Sequence, residues 1–183
     1  WVSYSELVTL TGATPVIVKT TEHSGFRMNA EQFQNAITPQ TKLLMLNNPC
    51  NPTGAAYTIE NLEALAKIVV ERDILVMSDE IYDKLIYEGS EFRSFATFGQ
   101  DVAERTITVN GVSKAYAMTG WRIGYAGGPK ELIRAMARIQ YQCTTSPCSV
   151  SQAAAVAAIG GPQDQVRERM ARFEKRRDLV VGM

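Results

Sequence analysis

Short apolar runs and longer amphipathic stretches alternate along the chain. Val16-Ile17-Val18, Lys42 to Leu46, Ile74 to Met77 and Thr106 to Val109 are short runs of the kind that form buried strands. A fifth candidate, Arg122 to Ala126, is interrupted by Gly124. Helical patterns lie between them, at Ala30 to Ile37 and at Ile59 to Arg72, the latter with Thr58 as its N-cap. Pro129 suits the first turn of a helix running to about Gln140. Ser149 to Ile159 is alanine-rich and helical until Gly160-Gly161-Pro162 ends it, and Gln165 to Leu179 is a charged amphipathic stretch. Strands separated by helices predict an α/β fold, a mostly parallel sheet between helices. No internal repeat or low-complexity linker divides residues 1–183, so one layered domain is expected.

The polar punctuation is informative. In open α/β sheets, sites form beyond the carboxyl ends of the strands. Asn47 to Gly54, Asp79 to Tyr82 and Asn110 to Lys114 each fall at or after such an end. If the strands are parallel, the three clusters converge on one edge. Asp79 is either a helix N-cap or a partly desolvated carboxylate that needs a cationic or strongly donating partner. Tyr82, three residues on, is a structural tyrosine or a hydroxyl aimed at the same partner. A lysine with a lowered pKa can attack an aldehyde, whereas most lysines are solvated surface charges; Lys114 is open to both readings. Arg122, eight residues later in Met118-Thr119-Gly120-Trp121-Arg122, carries a planar fork suited to a phosphate. Two prolines shape the 47–54 loop and could aim Asn51 inward.

Composition narrows the field without choosing within it. The chain is 45% hydrophobic and 21% charged, which fits an ordinary globular domain with a real core. Lys and Arg number 19, as do Asp and Glu, so no polyanionic partner such as nucleic acid is indicated. No apolar run has the length of a membrane span. Three cysteines without zinc-ligand spacing suit a reducing, cytoplasmic setting, and no metal site is expected. His23 lacks companions for a triad or a metal and reads as a surface residue. Cys143 and Cys148 are spaced wrongly for the usual dithiol motif. Lys175-Arg176-Arg177 shares its helix with Glu168 and Glu174 and reads as a solvated face.

Three strings, in order, carry a resemblance. Asn48-Pro49-Cys50-Asn51-Pro52-Thr53-Gly54 is similar to the asparagine-proline-threonine-glycine loop of the class I/II, fold-type I aminotransferases. Ser78-Asp79-Glu80-Ile81-Tyr82 resembles their aspartate-to-tyrosine segment. Ser113-Lys114 followed by Gly120-Trp121-Arg122-Ile123-Gly124 resembles their Schiff-base lysine and phosphate arginine. The likeness spans essentially the whole chain and is nearest the aspartate aminotransferase branch. It implies pyridoxal 5′-phosphate as cofactor, amino acid and 2-oxo acid substrates, and a homodimer when full length. It also implies roles. Lys114 would bind the cofactor covalently and shuttle the substrate proton, and Asp79 would pair with the pyridinium nitrogen. Asn51 and Tyr82 would hydrogen-bond the ring oxygen, Arg122 would hold the phosphate, and Trp1 would stack on the ring. The Asn51–Pro52 bond is expected to be cis, as in relatives.

Some of the family pattern is missing. Gly111 stands three residues before the lysine, where several relatives carry a phosphate-binding hydroxyl. The phosphate cup that precedes the stacking aromatic, the substrate-carboxylate arginine and the tyrosine from the neighbouring subunit have no counterpart here. The chain opens at Trp1 and closes at Gly182-Met183, which suggests a central large-domain fragment of a longer polypeptide, one that alone would bind the cofactor weakly and transaminate poorly. In relatives the loop between Cys143 and Cys148 lies near the substrate entrance, which makes Ser146 a minor contact candidate. The rival expectations are a β-lyase of the same fold type and the cofactor-sensing domain of a transcriptional regulator.

Overall fold

The structure is a computed structural model and describes residues 1–87 and 89–183. Four strands form one sheet in the order β1 (Leu43–Asn47), β2 (Leu75–Asp79), β3 (Thr106–Gly111), β4 (Gly124–Gly127). The first three are parallel, with Asn47 beside Asp79 and Asp79 beside Val109, so their carboxyl ends are level. β4 runs antiparallel to β3 and sets Gly124 against Gly111. The mostly parallel sheet expected from the sequence is therefore present, with a single reversed edge.

Helices α1 (Ser3–Leu10), α2 (Ala30–Ala36), α3 (Ile59–Glu71), α4 (Gln100–Ala103), α5 (Lys130–Cys143), α6 (Ser149–Gly160) and α7 (Asp164–Val181) complete the order. α3 shows why its sequence is helical. Thr58 Oγ1 caps it by accepting from Asn61 N at 3.2 Å. Leu62, Leu65, Ala66 and Val69 then recur at the spacing of one buried face. Asp73, at φ 51°, turns the chain out of the helix and Ile74 N donates back to Val69 O.

The core sits on the face covered by α2 and α3. Phe33, Leu46, Leu62, Leu65, Val69, Val76 and Phe95 are buried together there. On the alternate positions, Met45, Met77 and Ile107 stand side by side in register and are only half-buried. A smaller cluster of Val112, Ile123 and Ala155, with Tyr116 and Met118 against it, brings α6 onto the turn that follows β3.

One expected strand is absent. Val16 and Ile17 are 64% and 70% exposed, and residues 16–18 join no sheet. An apolar run becomes a strand only where a neighbour offers a ladder, and here Val18 merely rests on the core. Residues 81–84 form turns, so it is a turn and not a helix that carries Tyr82 away from Asp79.

Candidate active site at the carboxyl edge of the sheet

The three polar clusters do meet. Leaving β1, Asn47 Nδ2 and Asn48 N both donate to the Asp79 carbonyl, at 3.1 and 3.0 Å. Asn48, 3% exposed, also accepts from Tyr57 N at 3.0 Å, which pins the loop to the start of α3. The Asn48–Pro49 and Asn51–Pro52 peptides are both cis, the second as expected. Asn51 N donates to Asn47 Oδ1 at 3.3 Å, and Gly54, at φ 70°, closes the loop onto Cys50 O at 2.8 Å.

From there Asn51 Nδ2 reaches Tyr82 Oη at 3.2 Å, joining the first cluster to the second. Tyr82 is held in consecutive turns by Asp83 N donating to Glu80 O and Leu85 N donating to Tyr82 O. Lys114 follows β3 on the third side, in a turn closed by Ala117 N donating to its carbonyl at 3.1 Å. Its Nζ lies 5.8 Å from the centre of the Tyr82 ring, within cation–π range, and the residue is exposed.

Asp79 is half-buried at the end of β2. Its Oδ1 accepts from Ile81 N at 3.1 Å, and its Oδ2 accepts from the hydroxyl of Tyr4. Tyr4 is a residue that sequence reasoning missed. Burial, then the hydrogen bond to Asp79, then the Asp79 charge push its hydroxyl far above the ordinary phenol range, so it stays a donor. Trp1 meets the Tyr4 ring edge-on at 5.6 Å and 88°. The available signal was the three-residue spacing of two aromatics, Trp1 just ahead of α1 and Tyr4 in its first turn. That helix has no buried residue, so hydrophobic periodicity could not disclose it.

Of the six candidate side chains, Trp1 and Asp79 are therefore linked through Tyr4, while Asn51, Tyr82 and Lys114 form a second group. Arg122 shares no hydrogen bond, ion pair or ring contact with the other five among the described residues. It lies at φ 54° just before β4, exposed, with its guanidinium donating to Thr119 O at 2.8 Å. A cleft of about 380 Å³ containing Thr38, Lys42 and Arg72 lies at the opposite edge of the sheet and holds none of the six. Among the described residues no group of His, Cys, Asp and Glu is arranged for a metal, and no helix is long and apolar enough to cross a membrane.

The donor set suits a substituted pyridine bearing a phosphate. It offers a carboxylate for a ring nitrogen, an amide–hydroxyl pair for a ring oxygen, an amine for an aldehyde and a guanidinium for a phosphate.

Residues 1–183 match the family model described as Aminotransferase class I and II. The aspartate aminotransferase of Rhizobium meliloti is 49% identical over 183 residues, which cover all of this chain and 45% of that protein. The aspartate/prephenate aminotransferase of Cereibacter sphaeroides is 49% identical over 184 residues, covering 100% and 46%. Among solved structures, an aspartate aminotransferase from Rhizobium meliloti superposes with a TM-score of 0.96 at 48% identity, covering 100% of this chain and 46% of that one. An aromatic aminotransferase from Pyrococcus horikoshii gives 0.95 at 41% identity, covering 98% and 48%. The chain spans about half the length of the curated relatives it matches.

Proposed function

Because the chain belongs to the class I and II aminotransferase family over all 183 of its residues, we propose that its full-length protein transfers an amino group from a dicarboxylic amino acid to a 2-oxo acid. Residues 1–183 are the part of its large domain that binds pyridoxal 5′-phosphate. The observation that carries the reading is the convergence of Asp79, the Asn51–Tyr82 pair and Lys114 at one sheet edge.

When bound, the cofactor supplies an aldehyde that condenses with amines and a protonated ring that withdraws electrons from the substrate α-carbon. The residues of this chain do the rest. Asp79, held by Ile81 N and Tyr4, would keep the ring nitrogen protonated. Asn51 donates to the Tyr82 oxygen, which leaves the phenolic proton free to point at an anionic ring oxygen. Lys114 would tether the cofactor and, once displaced by substrate, carry the proton at the α-carbon. Arg122 would take the phosphate, and Trp1 a face of the ring.

The relatives named above are aminotransferases, which favours transamination over a β-lyase or a regulator's sensing domain. Their names favour aspartate as amino donor; the aromatic aminotransferase among the solved structures keeps phenylalanine as the competitor to assay. A homodimer is part of the same reading, supported by the apolar side chains that α5 and α6 leave exposed. So is a cytoplasmic setting, supported by three free cysteines.

The test is borohydride reduction of the full-length protein after incubation with pyridoxal phosphate, with mass spectrometry of the peptides. A pyridoxyl group on Lys114, and loss of aspartate transamination by at least about a thousandfold in Lys114→Ala, are expected. Reduction products on other lysines alone would sink the reading.

A further inference from the structure

Glu80 has no role in that reading, yet it follows Asp79 directly and is only 3% exposed. A carboxylate so far from water needs donors. Its Oε1 accepts three, from Ser78 Oγ at 2.8 Å, Ser94 Oγ at 3.0 Å and Phe95 N at 3.0 Å. Ser78 belongs to β2, whereas Ser94 and Phe95 come from the far end of the segment that leaves it. Phe95 is 1% exposed and seated in the main core. One oxygen thus clasps the return of that segment to the end of β2. The Glu80 backbone is held as well, its N donating to Val109 O at 2.8 Å and its carbonyl accepting from Asp83 N at 2.9 Å.

Strand alternation sends Glu80 toward the core and Asp79 to the other face. The carboxylate assigned to the ring nitrogen therefore stands immediately before the clasp, and the hydroxyl assigned to the ring oxygen stands two residues after it. Burial pushes the Glu80 carboxyl above its ordinary range despite the three donors. The acceptor oxygen, more than the charge, is what the clasp uses, and a glutamine offers the same oxygen.

We infer that Glu80 is a positioning residue, whose buried Oε1 sets the direction in which the chain leaves β2 and so the aim of Asp79 and Tyr82. The inference rests on the roles proposed for those two side chains. A carboxylate that served the core alone would affect stability and leave the site unchanged.

The experiment compares Glu80→Ala with Glu80→Gln in the full-length protein. Without cofactor, amide exchange at Ile81, whose N–H donates to Asp79, should quicken at least about tenfold in the alanine variant. It should stay within about threefold of the parent in the glutamine variant. With pyridoxal phosphate, the alanine variant should raise the cofactor dissociation constant about tenfold or more and displace the pH midpoint of the visible absorption band. Glutamine should restore both. A lowered melting temperature with Ile81 exchange and cofactor affinity at parent values would overturn the inference. Where the alanine variant does not fold, Ser94→Ala removes one donor and should move the same readouts in the same direction, and no movement there overturns the inference equally. If the parent takes up no cofactor at Lys114, the functional proposal fails, and Ile81 exchange still decides whether Glu80 sets Asp79.

Discussion

A side chain at position 111 has nowhere to go. A Cβ built there would lie 2.8 Å from the Ile123 carbonyl oxygen, 3.2 Å from Gly124 Cα and 3.2 Å from Ile81 Cδ1. Two of those neighbours are backbone of the β4 edge, fixed by the pairing of Gly111 with Gly124. This accounts for the glycine where several relatives carry a hydroxyl. A side-chain hydroxyl has no room at residue 111 while β3 and β4 remain paired. Gly111→Ala should cost about 1–3 kcal/mol in urea unfolding, because the strand edge must shift to admit one methyl. Unchanged stability would mean that the edge yields freely. At this scale the sequence was legible in where Asp79, Asn51, Tyr82 and Lys114 would gather, because each follows the carboxyl end of a strand. It was opaque where the partner is distant in the chain: Tyr4 reaches Asp79 across 75 positions, and Glu80 reaches Ser94 and Phe95 across 14 and 15.

Elements were most legible where several local signals agree. α3 has a cap, an apolar face and a left-handed exit, and its boundaries match the sequence reading to within one residue. Residues 16–18 had only an apolar run, and α1 had no buried face at all. The agreement in α3 also makes its cap testable apart from the chemistry. Thr58 Oγ1 both accepts from Asn61 N and donates to Asn61 Oδ1 at 3.1 Å, and the helix buries Leu62, Leu65, Ala66, Ile68 and Val69. Thr58→Ala should therefore destabilise the protein by about 1 kcal/mol in thermal or chemical unfolding, with Thr58→Ser close to the parent. Cofactor affinity should be unaffected, since the loop ahead of the helix is pinned independently by Asn48 to Tyr57 N. A loss of affinity in Thr58→Ala at parent stability would show that the cap supports the loop as well as the helix.

For the molecule as a whole, the sheet explains the site and the surface explains what the chain needs. Level carboxyl ends on three parallel strands bring residues 47–54, 79–82 and 110–114 to one edge, and that convergence followed from the order of strands and helices alone. What covers the remaining apolar surface did not follow, because an amphipathic pattern says that a face is apolar without saying what meets it. Ile139 and Tyr141 of α5 are 67% and 64% exposed, Val150 and Val156 of α6 are 66% and 72% exposed, and the Met45–Met77–Ile107 row of the sheet is half open. Exposed apolar area on that scale is unusual for a monomer that stays dispersed. The chain also spans about half the length of its curated relatives. Produced alone, these 183 residues should therefore bind a hydrophobic dye and scatter light as self-associated species, while the full-length protein should do neither. Sedimentation of both at matched concentration distinguishes the cases. A dispersed, dye-free 183-residue monomer would mean that water meets these faces without penalty, and the exposed faces would then lend no support to the proposed homodimer.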